Sequence, residues 1–223
     1  MKLTDNLRLL ADPPRARLRI QEVRRSRALA ATTAQYLRPP PPSEFAAFGE
    51  GSWIVPPARV FYPGCITIGA GVLIHEHAWL SVVRLEGTEP SLVIGDRCSL
   101  GRLVHIACVG EIVIEEDVLT SDRVFIGDTY HDYTDPDAPV KRQPMAPPKP
   151  VRIGRGSFLG IGSVILQGVT VGPQAYVAAG AVVTRDVPAR TLVVGNPARP
   201  IRTYDEQRQK WVPITAAPGQ GVD

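Results

Sequence analysis

The residue with the clearest catalytic potential is His131, which lies in an irregular stretch of the chain. This stretch, DTYHDYTDPDAPVKRQPMAPPKP, covers residues 128–150. An imidazole changes its protonation state near neutral pH, so a positioned histidine can take the proton from an attacking hydroxyl group. Asp128 or Asp132 could orient the imidazole, and either could equally be a turn residue of the loop. No serine or cysteine beside His131 suggests a covalent acyl-enzyme, so we expect a general base.

The irregular stretch interrupts a hexapeptide pattern. After it, an apolar residue stands at every sixth position, and a second, smaller residue follows four places after each. On an α-helix the apolar positions would point in three directions about 120° apart, whereas in extended chain an even spacing places them on one side. The spacing therefore predicts a parallel β-helix. The apolar set is Ile153, Leu159, Ile165, Val171, Val177 and Val183, and the second set is Ser157, Ser163, Val169, Ala175, Ala181 and Val187.

The same period occurs earlier, so the repeat covers roughly residues 68–188, with loops near 84–91 and 128–150. The earlier runs are Ile68, Ile74 and Leu80; then Ile94, Leu100, Ile106 and Ile112; then Ile114, Thr120 and Ile126. A weaker run, Ile54, Val60 and Ile66, stands two places out of register with Ile68. The start of the first coil is therefore left undecided. A long excursion from a rigid coil is a usual place for function, which adds weight to His131.

The predicted fold is all-β, with an extension at each end of the repeat. Residues 1–50 are expected to form a basic helical extension and a proline-rich spacer, because 15–37 contain no glycine or proline and Pro39 to Pro42 end that segment. Residues 51–202 are expected to form the β-helix domain. Residues 203–223 are expected to form a C-terminal cap and tail, the cap being a helix with Tyr204 and Trp211 and 212–223 a frayed tail.

Composition excludes several classes of function. The net charge is +3, but residues 1–38 hold nine Lys or Arg against three Asp or Glu. These arginines could contact an anionic membrane surface, although a solvated helix beside the repeat is favoured. Nucleic-acid recognition is not expected, because no aromatic platform or groove-reading motif accompanies them. No signal peptide or transmembrane segment is recognisable, and the three cysteines suit reduced core thiols, so a cytoplasmic protein is expected.

The segment VRIGRGSFLGIGSVILQGVTVGPQAYVAAGAVVTRDVPARTLVVGNPARPIR, together with VLTSDRVFIGDTYHDY, resembles the hexapeptide-repeat O-acetyltransferases. The similarity is closest to the branch of galactoside, maltose and polysaccharide O-acetyltransferases, and it covers about two thirds of the chain. This resemblance implies a left-handed parallel β-helix, a homotrimer, and acetyl-CoA in the groove between neighbouring subunits. The handedness rests on the resemblance alone, because right-handed crossovers are the general rule.

The resemblance also implies roles for individual residues. The residues from Ile114 to His131 align without gaps to the family segment that ends in its catalytic histidine, which makes His131 the general base. Six positions match coenzyme contacts of the family. Ile161 and Ala179 match backbone contacts to pantetheine, Thr184 and Arg185 match a Thr-Lys pair near the nucleotide, and Arg199 and Arg202 match two basic residues at that end.

The acceptor is the least determined part of this prediction. Gly101 and Val109 stand where galactoside-type enzymes carry acceptor-binding Asn and Asp, so a free galactoside is not the expected acceptor. Lys141 and Arg142 in the long loop suit a larger, anionic or lipid-linked glycan, and a polysaccharide precursor is the leading class. An antibiotic, a serine-like metabolite or a sugar-nucleotide amine is left open, the last making this an N-acetyltransferase. Acyl length is also left open.

Two other classes of function are weighed beside the transferase. His75, His77 and His105 suggest a metal site like that of the γ-class carbonic anhydrases, but that family places two ligands five residues apart and this chain has no such pair. No metal cofactor is therefore expected. Trp79 and Tyr130 could stack on a sugar ring or serve packing. The second class, a non-catalytic β-helix scaffold, predicts a degenerate coenzyme groove and no histidine at the break.

Overall fold

The computed structural model describes residues 38–214, which form short strands joined by tight corners. The strands are β1 (Ala47–Phe48), β2 (Trp53–Ile54), β3 (Arg59–Phe61), β4 (Ile66–Ile68), β5 (Leu73–Ile74), β6 (Trp79–Val82), β7 (Ser91–Ile94), β8 (Ser99–Leu100), β9 (His105–Cys108), β10 (Glu111–Ile114), β11 (Leu119–Thr120), β12 (Phe125–Gly127), β13 (Val151–Ile153), β14 (Phe158–Leu159), β15 (Val164–Ile165), β16 (Thr170–Val171), β17 (Tyr176–Val177), β18 (Val182–Val183), β19 (Thr191–Val194), β20 (Arg199–Asp205) and β21 (Lys210–Pro213). Three 3₁₀ turns lie at Pro42–Glu44, Pro63–Cys65 and Val140–Arg142. The all-β class is confirmed.

The strands form three sheets, and from β1 to β18 successive strands along the chain go to successive sheets. Strands β1, β4, β7, β10, β13 and β16 form the first sheet, β2, β5, β8, β11, β14, β17, β19, β20 and β21 the second, and β3, β6, β9, β12, β15 and β18 the third. Up to β18 all pairings are parallel. The parallel pairing agrees with the β-helix that the hexapeptide spacing predicts.

The six apolar residues of the last repeat all face the interior. Their registers pair Ile153 with Val171, Leu159 with Val177 and Ile165 with Val183, one coil above another. None of the six is more than 1% exposed. Burial of a side chain of this size stabilises the fold by about 1.5–3 kcal/mol before entropy is counted. The repeated apolar position therefore builds one continuous core along the axis.

The smaller residues of the pattern are buried at the corners, where adjacent coils come close. Ser157, for example, donates its hydroxyl hydrogen to the carbonyl oxygen of Gly172 over 2.9 Å. Gly160 shows how tight the corners are, because a Cβ there would lie 2.5 Å from the backbone nitrogen of Ala179 in the next coil. A side chain at position 160 would force the coils apart.

The undecided first coil is regular. Ile54 pairs with Ile74 and Val60 with Leu80, so the early run belongs to the β-helix. Its shifted register has a simple cause, because β4 is three residues long and turns both Ile66 and Ile68 inward. The hexapeptide period assumes one inward residue in each strand. A strand with two inward residues, two positions apart, therefore shifts the register of the period by two. The same occurs in β10, where Ile112 and Ile114 are both buried.

The segment after the last coil is a β-hairpin, which corrects the predicted helical cap. Strand β20 runs antiparallel to β19 and β21 antiparallel to β20, so the hairpin extends the second sheet. Tyr204 and Trp211 face each other across it, with ring centroids 5.9 Å apart. The predicted tail is also shorter than expected, because β21 continues to Pro213. A strand satisfies the free edge of β19, which a helix would leave open.

Two expectations concern residues beyond the described range. The predicted basic helix over residues 15–37 lies outside residues 38–214, as do the last nine residues of the predicted tail. Among residues 38–214, no helix is long and apolar enough to cross a membrane.

Candidate active site

The loop that carries His131 is an ordered antiparallel ribbon, although its sequence predicts an irregular stretch. It leaves the third sheet after β12 and returns to the first sheet at β13. The Tyr130 carbonyl accepts a hydrogen bond from Ala146 N–H (2.9 Å), and Asp132 N–H donates to the Pro144 carbonyl (3.0 Å). His131 forms a bridge with Met145 between these two bonds. We call residues 128–150 the histidine ribbon.

The tip of the histidine ribbon is held by Gln143. Its side-chain amide donates to the carbonyls of Asp135 and Ala138, both over 2.9 Å, and its oxygen accepts from Asp135 N–H. Lys141 and Arg142 lie exposed in the 3₁₀ turn beside it. The paired arms fix the backbone of His131, while the tip presents two cations to solvent.

The two carboxylates that could orient His131 are both engaged elsewhere. Asp128 is fully buried and accepts hydrogen bonds from the backbone N–H groups of Val109 and Gly110. Asp132 accepts from Thr134 N–H over 3.0 Å, as a turn residue does, and this bond holds the pKa of its carboxyl below the usual value. The His131 imidazole is exposed and makes no hydrogen bond within the described part of the chain. Asp132 is thus a turn residue of the loop, whereas the Asp128 carboxylate binds the backbone of a neighbouring coil.

Ile161 and Ala179 lie one coil apart, where the second sheet turns into the third. Both residues are exposed. Gly180 N–H donates to the Ile161 carbonyl over 2.9 Å, but the N–H groups of Ile161 and Ala179 have no partner within residues 38–214. Gly162 and Gly180 follow them with φ of +67° and +66°, and neither has a neighbour where a Cβ would stand. We call this edge, with Ile161, Ala179 and Arg199, the coenzyme corner, after the contacts that the sequence resemblance predicts for these three residues.

The basic residues predicted to contact the coenzyme do not all lie at this corner. Arg199 stands opposite Val194, at the coenzyme corner, and Arg202 stands opposite Leu192 on the second sheet. Thr184 and Arg185 follow β18 and lie at the far end of the third sheet. Within residues 38–214 the three arginines form no ion pair, unlike others that do. Arg97 pairs with Asp117, Arg102 with Asp122 and Arg152 with Glu115.

One chain does not bring the two halves of the predicted site together. The coenzyme corner precedes the strands of the third sheet, since Ile161 comes just before β15. The histidine ribbon follows β12 at the other end of that sheet. His131 and the exposed amide of Ile161 are therefore separated by the width of a sheet within a single chain.

A cleft of about 520 Å³, which no sequence motif predicted, lies beside the coenzyme corner. It lies one coil from Ile161, since Gly162 N–H donates to the Asp122 carbonyl over 3.0 Å. Arg102 and Asp122 form an ion pair in its wall at 2.8 Å. Gly101 lines it, whereas Val109 is buried and faces the histidine ribbon. The twenty-residue offset between Arg102 and Asp122 is the one sequence signal that could have paired them. The other lining residues are His75, Glu76, Ser99, Leu119, Thr120, Ser121 and Phe158.

The three other histidines are dispersed. His75 lies 3.8 Å from Glu76 in the wall of the cleft. His105 stacks on Trp79 with ring centroids 4.3 Å apart, and burial lowers the pKa of its imidazole. Among residues 38–214, no group of three or more His, Cys, Asp or Glu side chains could hold a metal ion. Trp79 is engaged in side-chain packing, as one of its two sequence readings stated.

Comparison with known proteins points to one family of repeats. Residues 150–185 match the model described as bacterial transferase hexapeptide, six repeats. A protein of Mycobacterium tuberculosis named as an acetyltransferase is 32% identical over 62% of this chain and 50% of its own length. The chain thus spans half the length of that relative. WbbJ of Escherichia coli, named for O-acetyl transfer in lipopolysaccharide biosynthesis, is 27% identical over 69% of this chain and 86% of WbbJ.

A solved structure shows the same architecture with a coenzyme. The hexapeptide-repeat acetyltransferase of Vibrio cholerae, crystallised with acetyl coenzyme A, is 27% identical to this chain. It covers 74% of each chain with a TM-score of 0.50.

Proposed function

From the bacterial transferase hexapeptide repeat of this chain and its similarity to acetyltransferases, we propose that it transfers acetyl from acetyl-CoA to a hydroxyl of a sugar or polysaccharide precursor. The observation that carries the proposal is the ordered placement of His131. Its backbone is fixed by hydrogen bonds on both sides, while its imidazole is exposed and free of a protein partner within residues 38–214. A general base must meet its substrate in this way.

The coenzyme side of the proposal rests on unpaired groups. Pantetheine is a slim chain with two amides, and the free N–H groups of Ile161 and Ala179 suit amide carbonyls that lie along an exposed corner. Arg185, Arg199 and Arg202 have no carboxylate partner within residues 38–214, so their guanidinium groups can pair with phosphates. Thr184 stands beside Arg185 and completes the nucleotide end.

The proposed reaction is a direct transfer. The imidazole of His131 takes the proton from the acceptor hydroxyl as its oxygen attacks the thioester carbonyl. The new C–O bond forms, the C–S bond breaks, and the coenzyme leaves as a thiol after the imidazolium returns the proton. No covalent intermediate on the protein is involved.

The site is completed in this proposal by a second copy of the chain, within a left-handed homotrimer. Two faces of the β-helix carry outward aromatic side chains, with Trp79 stacked on His105 in the third sheet and Phe158 packed on Tyr176 in the second. The first sheet instead presents Arg152 and Thr170. Adjacent apolar faces suit a closed ring in which the third sheet of one copy meets the second sheet of the next. Such packing would bring one copy's histidine ribbon to its neighbour's coenzyme corner.

A larger glycan is the proposed acceptor. The similarity to WbbJ extends over most of WbbJ, and that protein is named for lipopolysaccharide biosynthesis. The exposed cations Lys141 and Arg142 at the tip of the histidine ribbon suit an anionic carrier. The cleft beside the coenzyme corner adds the polar groups of Arg102 and Asp122.

The test is acetyl-CoA turnover, read as free thiol, with a panel of sugars, amino sugars and glycan precursors. Wild type and His131→Ala are compared, with His77→Ala as a matched control. Thiol release that requires an acceptor and falls by about 10²-fold or more only in His131→Ala is expected. Turnover with amino sugars alone would contradict O-acetyl transfer and indicate an N-acetyltransferase. If the protein binds the coenzyme and His131→Ala keeps wild-type turnover, His131 is not the general base. If the protein does not bind the coenzyme, the hypothesis of a non-catalytic scaffold is favoured.

A further inference from the structure

Both arms of the histidine ribbon contact one short turn of the neighbouring coil. This turn, Val109 and Gly110, connects β9 to β10. Asp128 opens the outgoing arm and its side chain reaches the turn, while Pro148 lies on the returning arm and contacts Gly110. The base of the ribbon is closed by Lys149 N–H, which donates to the Asp128 carbonyl over 2.8 Å. The turn is therefore the seat of the whole ribbon.

The Asp128 carboxylate joins the outgoing arm to this turn by hydrogen bonds to two backbone amides. It accepts from Val109 N–H over 3.0 and 3.1 Å and from Gly110 N–H over 2.7 Å. These amides form no other hydrogen bond within residues 38–214, so the carboxylate satisfies two donors that the turn would otherwise bury. Asp128 is at the same time held in the β-ladder, since its N–H donates to the Ala107 carbonyl.

The buried environment of Asp128 disfavours the charged form of its carboxyl group. Burial raises the pKa of Asp128, and the hydrogen bonds from the Gly110 and Val109 amides oppose that rise. The thiol of Cys108 is the titratable side chain that faces it, and burial raises the pKa of that thiol to about 12. The thiol therefore stays protonated beside the carboxylate. The hydrogen bonds from the two backbone amides hold the buried Asp128 side chain in place.

The returning arm is fitted as closely. A Cβ on Gly110 would lie 2.9 Å from the Cβ of Pro148 and 3.4 Å from a carboxylate oxygen of Asp128. Glycine at position 110 thus lets both arms approach the turn. Any side chain there would lift the ribbon from its seat.

We propose that Asp128 is a positioning residue for His131: its carboxylate, clamped on the Val109–Gly110 turn, sets the height and angle of the histidine ribbon. This inference rests on the proposed function of His131. Only two residues, Thr129 and Tyr130, separate the clamp from the base along one arm of the ribbon, so a shift at the clamp is passed to the backbone of His131. A displacement of about 1 Å of a catalytic group is enough to cost about 10²-fold in rate.

The test uses Asp128→Asn in the full-length protein, since the amide keeps one acceptor oxygen and turns a donor toward the backbone amides. We expect kcat to fall about 10- to 100-fold, with the KM for acetyl-CoA within about twofold of wild type, because the Asp128 side chain bonds to the Val109–Gly110 turn and to none of the residues predicted to contact the coenzyme. Asp96→Asn is the matched control. Asp96 accepts from Ala70 N–H over 2.8 Å at an exposed corner away from the histidine ribbon.

A cycle with His131→Ala separates positioning from general damage. If Asp128 acts through His131, Asp128→Asn lowers kcat in the wild type but has no further effect in the His131→Ala background. An equal loss in both backgrounds, or a KM that rises as kcat falls, would overturn the proposal. Gly110→Ala is the second variant, and it is expected to lower kcat by at least about fivefold without changing KM.

Gly110→Ala also decides the matter should Asp128→Asn fail to fold. Unchanged kcat in a folded Gly110→Ala protein would overturn the proposal in that case. The two hypotheses fail differently. If His131→Ala keeps full turnover, the proposed function is wrong; if His131→Ala loses turnover and the folded seat variants do not, only the role of Asp128 is wrong.

Discussion

At the scale of the residue, the arginines divide by their partners. Arg97 and Arg102 are locked in ion pairs with the carboxylate one coil above, which stabilises the stacking of coils. Arg185, Arg199 and Arg202 have no such carboxylate partner within residues 38–214, so no ion pair must be broken before their guanidinium groups meet a ligand. Neither residue type nor burial separates the two sets, because all members are exposed arginines.

Arg185→Ala is expected to raise the KM for acetyl-CoA by about tenfold, since a charge-assisted hydrogen bond to phosphate contributes about 1.5 kcal/mol or more. The kcat should stay within about twofold of wild type. Acetyl-pantetheine, which lacks the nucleotide, is the matched substrate and should show no effect of the substitution. An equal loss with both substrates would place Arg185 away from the phosphates.

At the scale of the element, neighbouring residues of one coil differ in whether they contribute to the core. Ile165 of β15 is fully buried, whereas Leu166, the next residue, is 37% exposed at the following corner. The interior positions repeat with the coil and hold the molecule together. Outward side chains such as Leu166 lie outside this core, and the histidine ribbon leaves from one of the corners.

Ile165→Ala is expected to lower the free energy of unfolding by about 2–5 kcal/mol, because it opens a cavity in the continuous core. Leu166→Ala, the control on the same segment, is expected to change it by no more than about 0.5 kcal/mol. Denaturant unfolding followed by circular dichroism measures both. Similar losses in the two variants would contradict the assigned register.

At the scale of the whole molecule, the two halves of the site lie at opposite ends of the third sheet. His131 follows β12, whereas Ile161 and Ala179 precede β15 and β18. A complete site in a single chain would need a ligand that spans this sheet. A site shared between copies needs only that two apolar faces meet.

Mixing of two inactive variants tests whether copies share the site. His131→Ala lacks the base, and Ala179→Trp fills the coenzyme corner, so each homo-oligomer is expected to be inactive. Co-expression in equal amounts should restore up to about a quarter of wild-type turnover, because random assembly joins an intact ribbon to an intact corner in about that share of interfaces. Mass in solution should be three times the chain. A mixture that stays inactive would place the whole site within one copy.

The sequence by itself determined the features that repeat. The six-residue period predicted the inward positions, a parallel β-helix and the ends of the histidine ribbon at 128 and 150, because in extended chain the side of a residue follows from counting alone. The same period failed where strands turn two residues inward, as in β4 and β10. Resemblance supplied His131 and the coenzyme residues, which remain predictions.

Only the tertiary structure decided the features that depend on which coils are neighbours. It paired Asp128 with the Val109–Gly110 turn and removed it as a partner of His131. It showed the cleft beside the coenzyme corner, folded the C-terminal segment as a hairpin, and placed the two halves of the predicted site apart. Spacing fixes the face of a residue within its own strand. Contacts between coils depend on loop lengths and irregular strands, which a local period does not contain.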